Sequence, residues 1–247
     1  MSELVYKASR FVSRGVSRSV LPELNESIVS FGFDDCPASA IETALPLLEA
    51  EGWRATIYVA CGLCGTENHL GVHMSLDDVV DVHGRDHEIA DHTFSHLSTN
   101  DVSTRAYLAD VERNQTALQK LGLPRSRHFA YPFGHVSPSL KSALRRRFKT
   151  LRGVLTPTNT SQDANLLNAA RVYSGDRFQS ALKQIEIAKT KPQWLNLFTH
   201  DVRENPSEFG CTVEEFQTIV TAVRNSGLRV MTVDDAYRTI IKRRQIS

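Results

Sequence analysis

The stretch HEIADHTFSH, residues 87–96, is the most informative part of the sequence, because an alternating apolar run leads into two histidines. The first half has the pattern of a strand end, and His92 and His96 are four residues apart. That spacing puts both imidazoles on one side of a helical turn or a tight loop, where they can converge on one metal ion. Because the same spacing also arises by chance, the pattern needs support from a second feature.

A pair of adjacent acids supplies that second feature. The apolar run IVSFGF, residues 28–33, is followed directly by Asp34 and Asp35. Two carboxylates at one strand end and two histidines at another would form a His-His-Asp metal site with one spare carboxylate. This set of side chains suits metal-assisted hydrolysis.

Strand-like and helix-like stretches alternate along the whole chain. Apolar runs predict strands over 28–33, 55–60, 87–92, 128–133, 151–155, 170–173, 194–201 and 229–233. Helical periodicity and capping residues predict helices over 38–51, 76–84, 104–121, 137–148, 178–189, 212–227 and 236–244. The alternation favours an α/β fold in which seven or eight parallel strands close into a (β/α) barrel. We expect residues 1–27 to be an N-terminal extension packing on the barrel, 28–247 to be the barrel domain, and 156–169 to be a long loop over its mouth.

The polar candidates all fall at the carboxyl ends of predicted strands. They are Asp34 and Asp35, His92 and His96, residues 131–134, and His200. In (β/α) barrels this end carries the active site. Four separate placements on one face are stronger support for a site than any single motif.

Composition excludes several classes of protein. The chain has 247 residues, 41% of them apolar and 23% charged, as in an ordinary soluble globular protein. A formal net charge of +1 gives no general attraction to nucleic acid. No signal-peptide core or apolar run of ~20 residues is visible, so we expect a cytoplasmic protein without a membrane span.

The CxxC of Cys61 and Cys64 fits small residues packed under a loop, with a disulfide or redox chemistry as alternatives. The other histidines fit surface or loop positions: His69, His73, His83, His87 and His128.

The order of the motifs resembles that of the polysaccharide deacetylase family, the NodB-homology carbohydrate esterases. The family's first motif, TFDDG, stands here as GFDDC, residues 32–36, and its second, H-S/T-x-x-H, as HTFSH, residues 92–96. The third motif, R-x-P-Y/F, is matched by AYPF, residues 130–133, except for the arginine, and the fifth, L-x-H, is matched by FTH, residues 198–200, at its histidine. The resemblance extends from about residue 28 to the C-terminal helix.

The resemblance implies a distorted (β/α) barrel and a metal-dependent hydrolase that removes acetyl groups from N-acetylated amino sugars. It implies that Asp35, His92 and His96 hold a divalent metal, most often zinc, with Co²⁺, Ni²⁺ or Mn²⁺ as alternatives. Asp34 would be the general base that takes a proton from water, and His200 the general acid that protonates the leaving amine.

Further positions implied by the resemblance shape the substrate pocket. The backbone N–H of Phe133 would help to hold the oxyanion, and Tyr131, Pro132 and Phe198 would line the pocket for the acetylated sugar. An O-acetyl esterase and a cyclic-amide hydrolase similar to allantoinase stay open as alternatives, since the same family performs both reactions. A catalytically silent binding barrel is disfavoured, because the metal-ligand and acid–base positions are all intact.

Two departures from the family pattern concern the surroundings of the base. Ala130 stands where most members have an arginine that contacts the catalytic aspartate, and the fourth motif, with its Asp and Trp, is not evident. The poly-N-acetylglucosamine deacetylase branch likewise reads AYPYG at this place. Arg171 or Arg177 could supply the missing cation, or both could form surface ion pairs. Asp91 could orient a metal-bound histidine.

Overall fold

A curved parallel sheet forms the wall of the barrel in the computed structural model, which describes residue 9, residues 11–157 and residues 162–243. Its strands are β1 (Ile28–Asp34), β2 (Thr56–Val59), β5 (Glu88–Asp91), β6 (His128–Ala130), β7 (Thr150–Arg152), β8 (Ala170–Arg171), β9 (Trp194–Thr199) and β10 (Arg229–Val230). The order is β7-β6-β5-β2-β1-β9-β8, with β10 beside β1. Between β2 and β5 in the chain, a short antiparallel hairpin forms from β3 (Glu67–Asn68) and β4 (Gly71–Val72). The predicted distorted (β/α) barrel is confirmed.

Helices cover the outside of this wall. A π-helical turn, Ala40–Ala44, leads into α1 (Leu45–Ala50), and the chain continues with α2 (Leu76–Gly84), α3 (Thr104–Lys120), α4 (Pro138–Leu144), α5 (Asp176–Thr190), α6 (Val213–Ser226) and α7 (Val233–Arg243). Helix α6 begins with the predicted capping box between Thr212 and Glu215 and ends at Gly227 in the left-handed conformation. None of the described helices combines the length and apolar content needed to cross a membrane.

Strand β1 shows why the barrel can carry polar groups inside. Its residues Val29, Phe31 and Phe33 belong to the large apolar core beneath the outer helices. Because side chains alternate along a strand, the intervening residues Ser30 and Asp34 face the other way, into the barrel. Asp34 is the last residue of the strand and therefore lies at the carboxyl end of the barrel.

Residues 162–169 lie in the wall of the barrel, which corrects the expectation of a loop over the mouth. The N–H of Leu151 donates to the carbonyl of Ala164 and the N–H of Gly153 to that of Leu167, at 2.8 and 2.9 Å, so the segment runs beside β7. It then continues into β8, which pairs with β9. Ala164 and Leu167 pack with Trp194 in an apolar cluster, and this burial outweighs the loop-like composition. Residues 158–161 lie outside the described part of the chain.

The part of the N-terminal extension that is described contacts the barrel through polar groups. The Nζ of Lys141 donates to the carbonyl of Ser13 at 2.8 Å, and the N–H of Ser19 donates to Asp163 at 2.8 Å. The division of the chain at residue 28 stays a prediction.

Three histidines that were expected at the surface or in loops are buried: His73, His87 and His128. The interpretation as surface or loop residues is wrong for His128, which lies in β6, whereas His73 and His87 are buried within connections, after β4 and before β5. His87 accepts the N–H of Ala55 at 3.0 Å, and His128 sits on the inner face of β6. His69 and His83 are exposed.

Candidate active site

Three side chains converge at the carboxyl end of the barrel. The Nε2 atoms of His92 and His96 lie 3.3 and 3.1 Å from Oδ1 of Asp35. One ligand atom from each residue lies within 4.8 Å of the others, so the group could hold a metal ion. Asp35 directly follows β1 and His92 directly follows β5. The sequence placed these residues at strand ends, and the structure brings them together.

Backbone contacts fix the orientation of His92. Its Nδ1 lies 2.8 Å from the carbonyl oxygen of Ala130, and since a carbonyl can only accept, Nδ1 carries the proton. In the neutral ring the lone pair is then on Nε2, which faces Asp35. Asp91 has a different task from the one expected, because its carboxylate accepts from the N–H of Thr93 and from Gln115, both at 2.8 Å. It therefore holds the turn that carries the histidines.

Backbone strain is concentrated at this end of the barrel. Seven described residues other than glycine have a positive φ, and five of them lie here: Asp35 (64°), Cys36 (66°), Thr93 (63°), His96 (50°) and Phe133 (59°). Such conformations are costly for L-residues and accumulate at functional sites, where the surrounding structure enforces them. The strain directs the side chains of Asp35 and His96 toward each other.

The charges in the cluster favour a cation beside Asp35. Burial alone would raise the pKa of Asp35, but the contact with His92 and the charges of His96 and His200 outweigh it and hold that pKa well below its ordinary range. Burial opposes charge on His92 too, yet the contact with Asp35 and the charges of both aspartates raise its pKa. Burial lowers the pKa of His96 to about 4, so its imidazole is neutral near pH 7.

The donor set fits a zinc-like ion. Oδ1 of Asp35 is buried and has no hydrogen-bond donor among the described residues, although two imidazole nitrogens lie close to it. Four ligands at tetrahedral zinc distances lie about 3.3 Å from one another, and the two measured separations are 3.3 and 3.1 Å. Two imidazoles and one carboxylate are ordinary ligands of catalytic zinc, which keeps a position open for substrate or water.

Asp34 is held by an arginine that the sequence analysis missed. Nη2 of Arg152 lies 2.5 and 2.6 Å from the two carboxylate oxygens of Asp34. Both side chains are buried, and the guanidinium lies over the rings of Tyr58 and Phe198, 4.7 and 4.3 Å from their centroids. Aromatic faces and a carboxylate together stabilise a cation away from water.

Arg152 replaces the arginine that is absent at Ala130. The two residues are direct partners across the parallel strands β6 and β7. The cation has therefore moved one strand along the sheet while still reaching the aspartate. The cation that holds Asp34 is thus Arg152 rather than either of the two arginines suggested by the sequence, Arg171, which lines the cavity, and Arg177, which is exposed on α5.

His200 follows β9 and approaches Oδ2 of Asp35, whereas His96 approaches Oδ1. Nδ1 of His200 donates to the carbonyl of Phe209 at 3.1 Å, and its Nε2 lies 3.8 Å from Oδ2 of Asp35. The loop that supplies this carbonyl is organised by buried Asp201, which accepts from the hydroxyl and the N–H of Ser207 at 2.6 and 2.7 Å. One ring nitrogen of His200 is thus fixed, and the other is left for chemistry.

A cavity of 290 Å³ opens over these groups. Of the predicted pocket residues, Tyr131 and Phe198 line it, whereas Pro132 is buried in the turn. Phe133, predicted for its backbone N–H, lines it as well. The full lining is Asp34, Asp35, Leu63, Asn68, His69, Leu70, His92, His96, Tyr131, Phe133, Gly134, Val154, Arg171, Tyr173, Phe198, His200 and Phe209. Its volume is at the lower end of the range for small-molecule sites, about 300–1,000 Å³.

The hairpin of β3 and β4 forms one side of the cavity. Asn68, His69 and Leu70 at its tip line the opening. Nη2 of Arg203 donates to the carbonyl of His69 at 3.3 Å, and Nε of the same arginine donates to Asp201 at 2.9 Å. The sequence analysis did not predict this hairpin, because its strands are two residues each and lack alternating apolar residues.

Comparisons with known proteins agree with the fold. The family model described as polysaccharide deacetylase matches residues 22–147, about half of the chain. No curated protein sequence matches the chain. A family 4 acetyl xylan esterase from Clostridium thermocellum, solved with a cobalt ion, is 18% identical with a TM-score of 0.60, covering 86% of this chain and 91% of that one.

Two further solved structures are similar over most of their length. The chitin deacetylase of the fungal pathogen Colletotrichum lindemuthianum is 15% identical with a TM-score of 0.61, covering 86% of this chain and 88% of the other. The peptidoglycan deacetylase PdaC from Bacillus subtilis is 15% identical with a TM-score of 0.58, covering 90% and 94%. At these identities the similarity to the solved structures concerns the fold alone. The family model covers the segment that carries the acid pair, both histidines and the AYPF turn. This chain belongs to the polysaccharide deacetylase family.

Proposed function

We propose that this protein is a metal-dependent hydrolase that removes acetyl groups from N-acetylated amino sugars. The observation that carries the proposal is the convergence of Asp35, His92 and His96 beside a second carboxylate, Asp34, at the mouth of the barrel. Family membership supports hydrolysis of an acetylated carbohydrate, and the site contains each group that amide hydrolysis requires.

Asp35, His92 and His96 would hold the metal, and two imidazoles with one carboxylate are a donor set that suits zinc. When bound, a divalent ion would supply Lewis-acid polarisation and a lowered pKa for water. The chain's own contribution is to orient the ligands: the Ala130 carbonyl fixes the proton of His92 on Nδ1, and the left-handed backbone of Asp35 directs its carboxylate inward.

Asp34 would take the proton of the attacking water. Its carboxylate is clamped by Arg152 through two short contacts, so it cannot rotate away from the cavity that it lines. Such a clamp fixes the direction in which the base accepts a proton, and geometry is the first requirement for general-base catalysis.

His200 would deliver a proton to the leaving amine. Because Nδ1 donates to the Phe209 carbonyl, a proton on Nε2 is the one available to the substrate. The backbone N–H of Phe133, in a turn with a left-handed φ of 59°, would donate to the oxyanion. Apolar Phe198 and Tyr173, which pack edge to face at 5.6 Å, would receive the acetyl methyl group.

The size of the cavity favours a short substrate. A site of 290 Å³ with one side formed by the β3–β4 hairpin accommodates about one sugar unit rather than a long stretch of polymer. We therefore propose a short N-acetylglucosamine-containing oligosaccharide, or a lipid-linked or nucleotide-linked precursor, as the substrate.

Acetate release tests the proposal. The purified protein, loaded in turn with zinc, cobalt, nickel or manganese, is incubated with chito-oligosaccharides of one to five units, and the loss of one acetyl mass is followed. Asp34→Asn should keep its metal and lose turnover by a factor of about 10² or more. Asp77→Asn, the same chemical change at an exposed position of α2, should leave the rate unaltered. Turnover of an O-acetyl ester or a cyclic amide, with no acetate from any N-acetylated sugar, would overturn the proposed substrate class.

A further inference from the structure

The first helical turn that the structure describes buries a polar side chain and exposes apolar ones. Residues 11–20, here called the N-terminal segment, begin with a helical stretch over 11–15. Ser13 is fully buried, whereas Phe11 is 73% exposed and Val12 50% exposed. A surface helix ordinarily buries its apolar residues and exposes its serines. This segment does the opposite, so its apolar side faces away from the barrel.

Polar contacts hold the inner side of the segment in this orientation. The Nζ of Lys141, itself fully buried, donates to the carbonyl of Ser13 at 2.8 Å and to Asp163 at 2.6 Å. Asp163 also accepts the N–H of Ser19 at 2.8 Å, and Asn165 donates to the carbonyl of Ser17 at 2.6 Å. Turning Phe11 inward would move the Ser13 carbonyl away from the buried ammonium of Lys141 and leave one of its N–H donors without an acceptor, which is destabilising. The outward position of Phe11 is therefore built into the fold.

The outer side of the segment combines apolar and basic side chains. Phe11, Val12 and Val20 are at least half exposed, and Arg14 and Arg18 are exposed between them. Within the described part of the chain, neither arginine has an ion pair with a carboxylate. Exposed apolar groups flanked by unpaired cations are the composition of an interfacial membrane-binding element.

The segment starts near the turn at the mouth that carries Phe133 and ends near the base, where Val20 pairs with Asp163 and the next residue, Leu21, packs with Ile28 and Trp194. The hydroxyl of Ser9, the described residue just before it, donates to the carbonyl of Val136 at 3.1 Å. Val136 follows the turn that carries Phe133, whose ring is 56% exposed at the rim of the cavity. Phe11 and Val12, at the start of the segment, are thus the exposed apolar residues of the segment that follow the contact of Ser9 with Val136.

We propose that the N-terminal segment docks the protein onto an anionic lipid surface. Phe11, Val12 and Val20 would enter the boundary between headgroups and acyl chains, while Arg14 and Arg18 would contact lipid phosphates. A second copy of this chain is a poorer occupant, because a two-fold contact would place each basic patch against its own copy. If the proposed function is also correct, docking would bring the mouth to acetylated sugars carried on lipid.

Vesicle sedimentation with the full chain tests the docking surface. We expect the protein to sediment with vesicles of phosphatidylcholine containing phosphatidylglycerol, and much less with phosphatidylcholine alone or at high salt. The double variant Phe11→Ser, Val12→Ser should reduce the partition coefficient at least about tenfold. Arg14→Gln and Arg18→Gln should each reduce it about fivefold, the effect of one surface cation. Val80→Ser, the same change at an exposed position of α2, is the matched control and should have no effect.

Several outcomes would overturn the inference. Equal binding to neutral and anionic vesicles, or binding that the variants leave unchanged while their thermal unfolding matches the wild type, removes the lipid role. Absence of vesicle binding together with a dimer that Phe11→Ser dissociates would assign the surface to a second copy. Because sedimentation needs no turnover, a protein that releases acetate without binding vesicles contradicts the docking alone, and one that binds vesicles without turnover contradicts only the proposed function.

Discussion

The two ends of the barrel each hold a cluster of carboxylates and histidines, and only one of them is arranged for chemistry. The mouth cluster is Asp35, His92, His96 and His200 at the carboxyl ends of the strands. The base cluster is Glu88, His128 and Asp234, near the start of β5, the start of β6 and the start of α7. The two sets are chemically alike, so the difference in their surroundings is informative.

The base cluster is satisfied by its own neighbours. Nδ1 of His128 lies 2.7 Å from the hydroxyl of Thr150, and Nε2 lies 2.9 Å from Asp234. Asp234 also pairs with Arg127 and Arg238, at 3.0 and 2.6 Å. Each buried polar group has a partner, as stability requires.

The mouth cluster lacks this closure. Among the residues that the structure describes, none donates a hydrogen bond to the buried Oδ1 of Asp35, and the backbone around it is held at positive φ. A fold tolerates such costs where a bound group or a substrate supplies the missing contacts. The comparison teaches that residue types alone do not mark a site, whereas an unsatisfied buried acceptor and backbone strain do.

The largest expected effect comes from removing a histidine of the mouth cluster. His92→Ala should lose both bound metal and acetate release, since it removes one of three ligands and its imidazole is not replaced from elsewhere. Metal content by mass spectrometry and turnover are the measurements. His128→Ala, the corresponding change at the base, should keep its metal and lose about 1–3 kcal/mol of unfolding free energy, because it leaves buried partners unpaired. Metal retained in His92→Ala would break the distinction between the two ends.

A second prediction concerns the arginine that holds the base. Arg152→Met leaves the buried carboxylate of Asp34 without its cation, so we expect a loss of about 3–5 kcal/mol in unfolding free energy. Adding Asp34→Asn removes the unpaired charge and should restore part of that loss. Urea unfolding of the single and double variants measures both. If Asp34→Asn changed the unfolding free energy equally in the wild type and in Arg152→Met, the two residues would not be coupled.

The sequence predicted those residues of the mouth whose positions depend only on their neighbours in the chain. Asp34 and Asp35 follow an apolar strand directly, and His92 and His96 share one turn, so neighbours in the chain are enough to place them. Arg152 is different, because its partner Asp34 is 118 residues away in the chain. The two residues end β7 and β1, strands that are separated by three others in the sheet, so they meet only when the sheet curves. The only sequence sign was a charged residue ending a short strand, which is also common at exposed positions.

Burial at the base and in the wall was equally hard to predict. His128 occupies the inward position of a three-residue strand, too short for alternation to establish which side is inside. Residues 162–169 have a polar composition typical of loops, yet their backbone groups complete the sheet beside β7. Both outcomes depend on which elements become neighbours, and the local pattern does not contain that information.

The third prediction concerns the pH dependence of the unfolding free energy at the base of the barrel. Burial would raise the pKa of Asp234, but its contacts with His128 and Arg238 and the charge of Arg127 outweigh it and lower that pKa from 3.8 to about 2. Because folding lowers this pKa, the carboxylate stabilises the fold at pH values above its ordinary pKa. This stabilisation disappears as the pH falls through about 2. The unfolding free energy of the wild type relative to Asp234→Asn should therefore decrease between about pH 4 and pH 2, by about 1 kcal/mol after solvent screening. Glu88 is present in both proteins and cancels, and a difference that stays constant over this range would contradict the assignment.

The smallest effect concerns a pair of glycines, one at each end. Gly71 in the hairpin at the mouth has φ 96°, and a Cβ there would lie 2.7 Å from Nη1 of Arg203. Gly52, in the connection between α1 and β2, has φ 74° with no atom in the way. Alanine at either position should cost about 1 kcal/mol in unfolding free energy from the left-handed backbone. Only Gly71→Ala should also displace Arg203 from its contacts with the hairpin and with Asp201. Because this would loosen that side of the cavity, KM should rise a few-fold while kcat changes little. Because the guanidinium of Arg203 is flexible, its displacement should add little to the loss of stability. Equal KM values for the two variants would mean that the hairpin does not shape the substrate site.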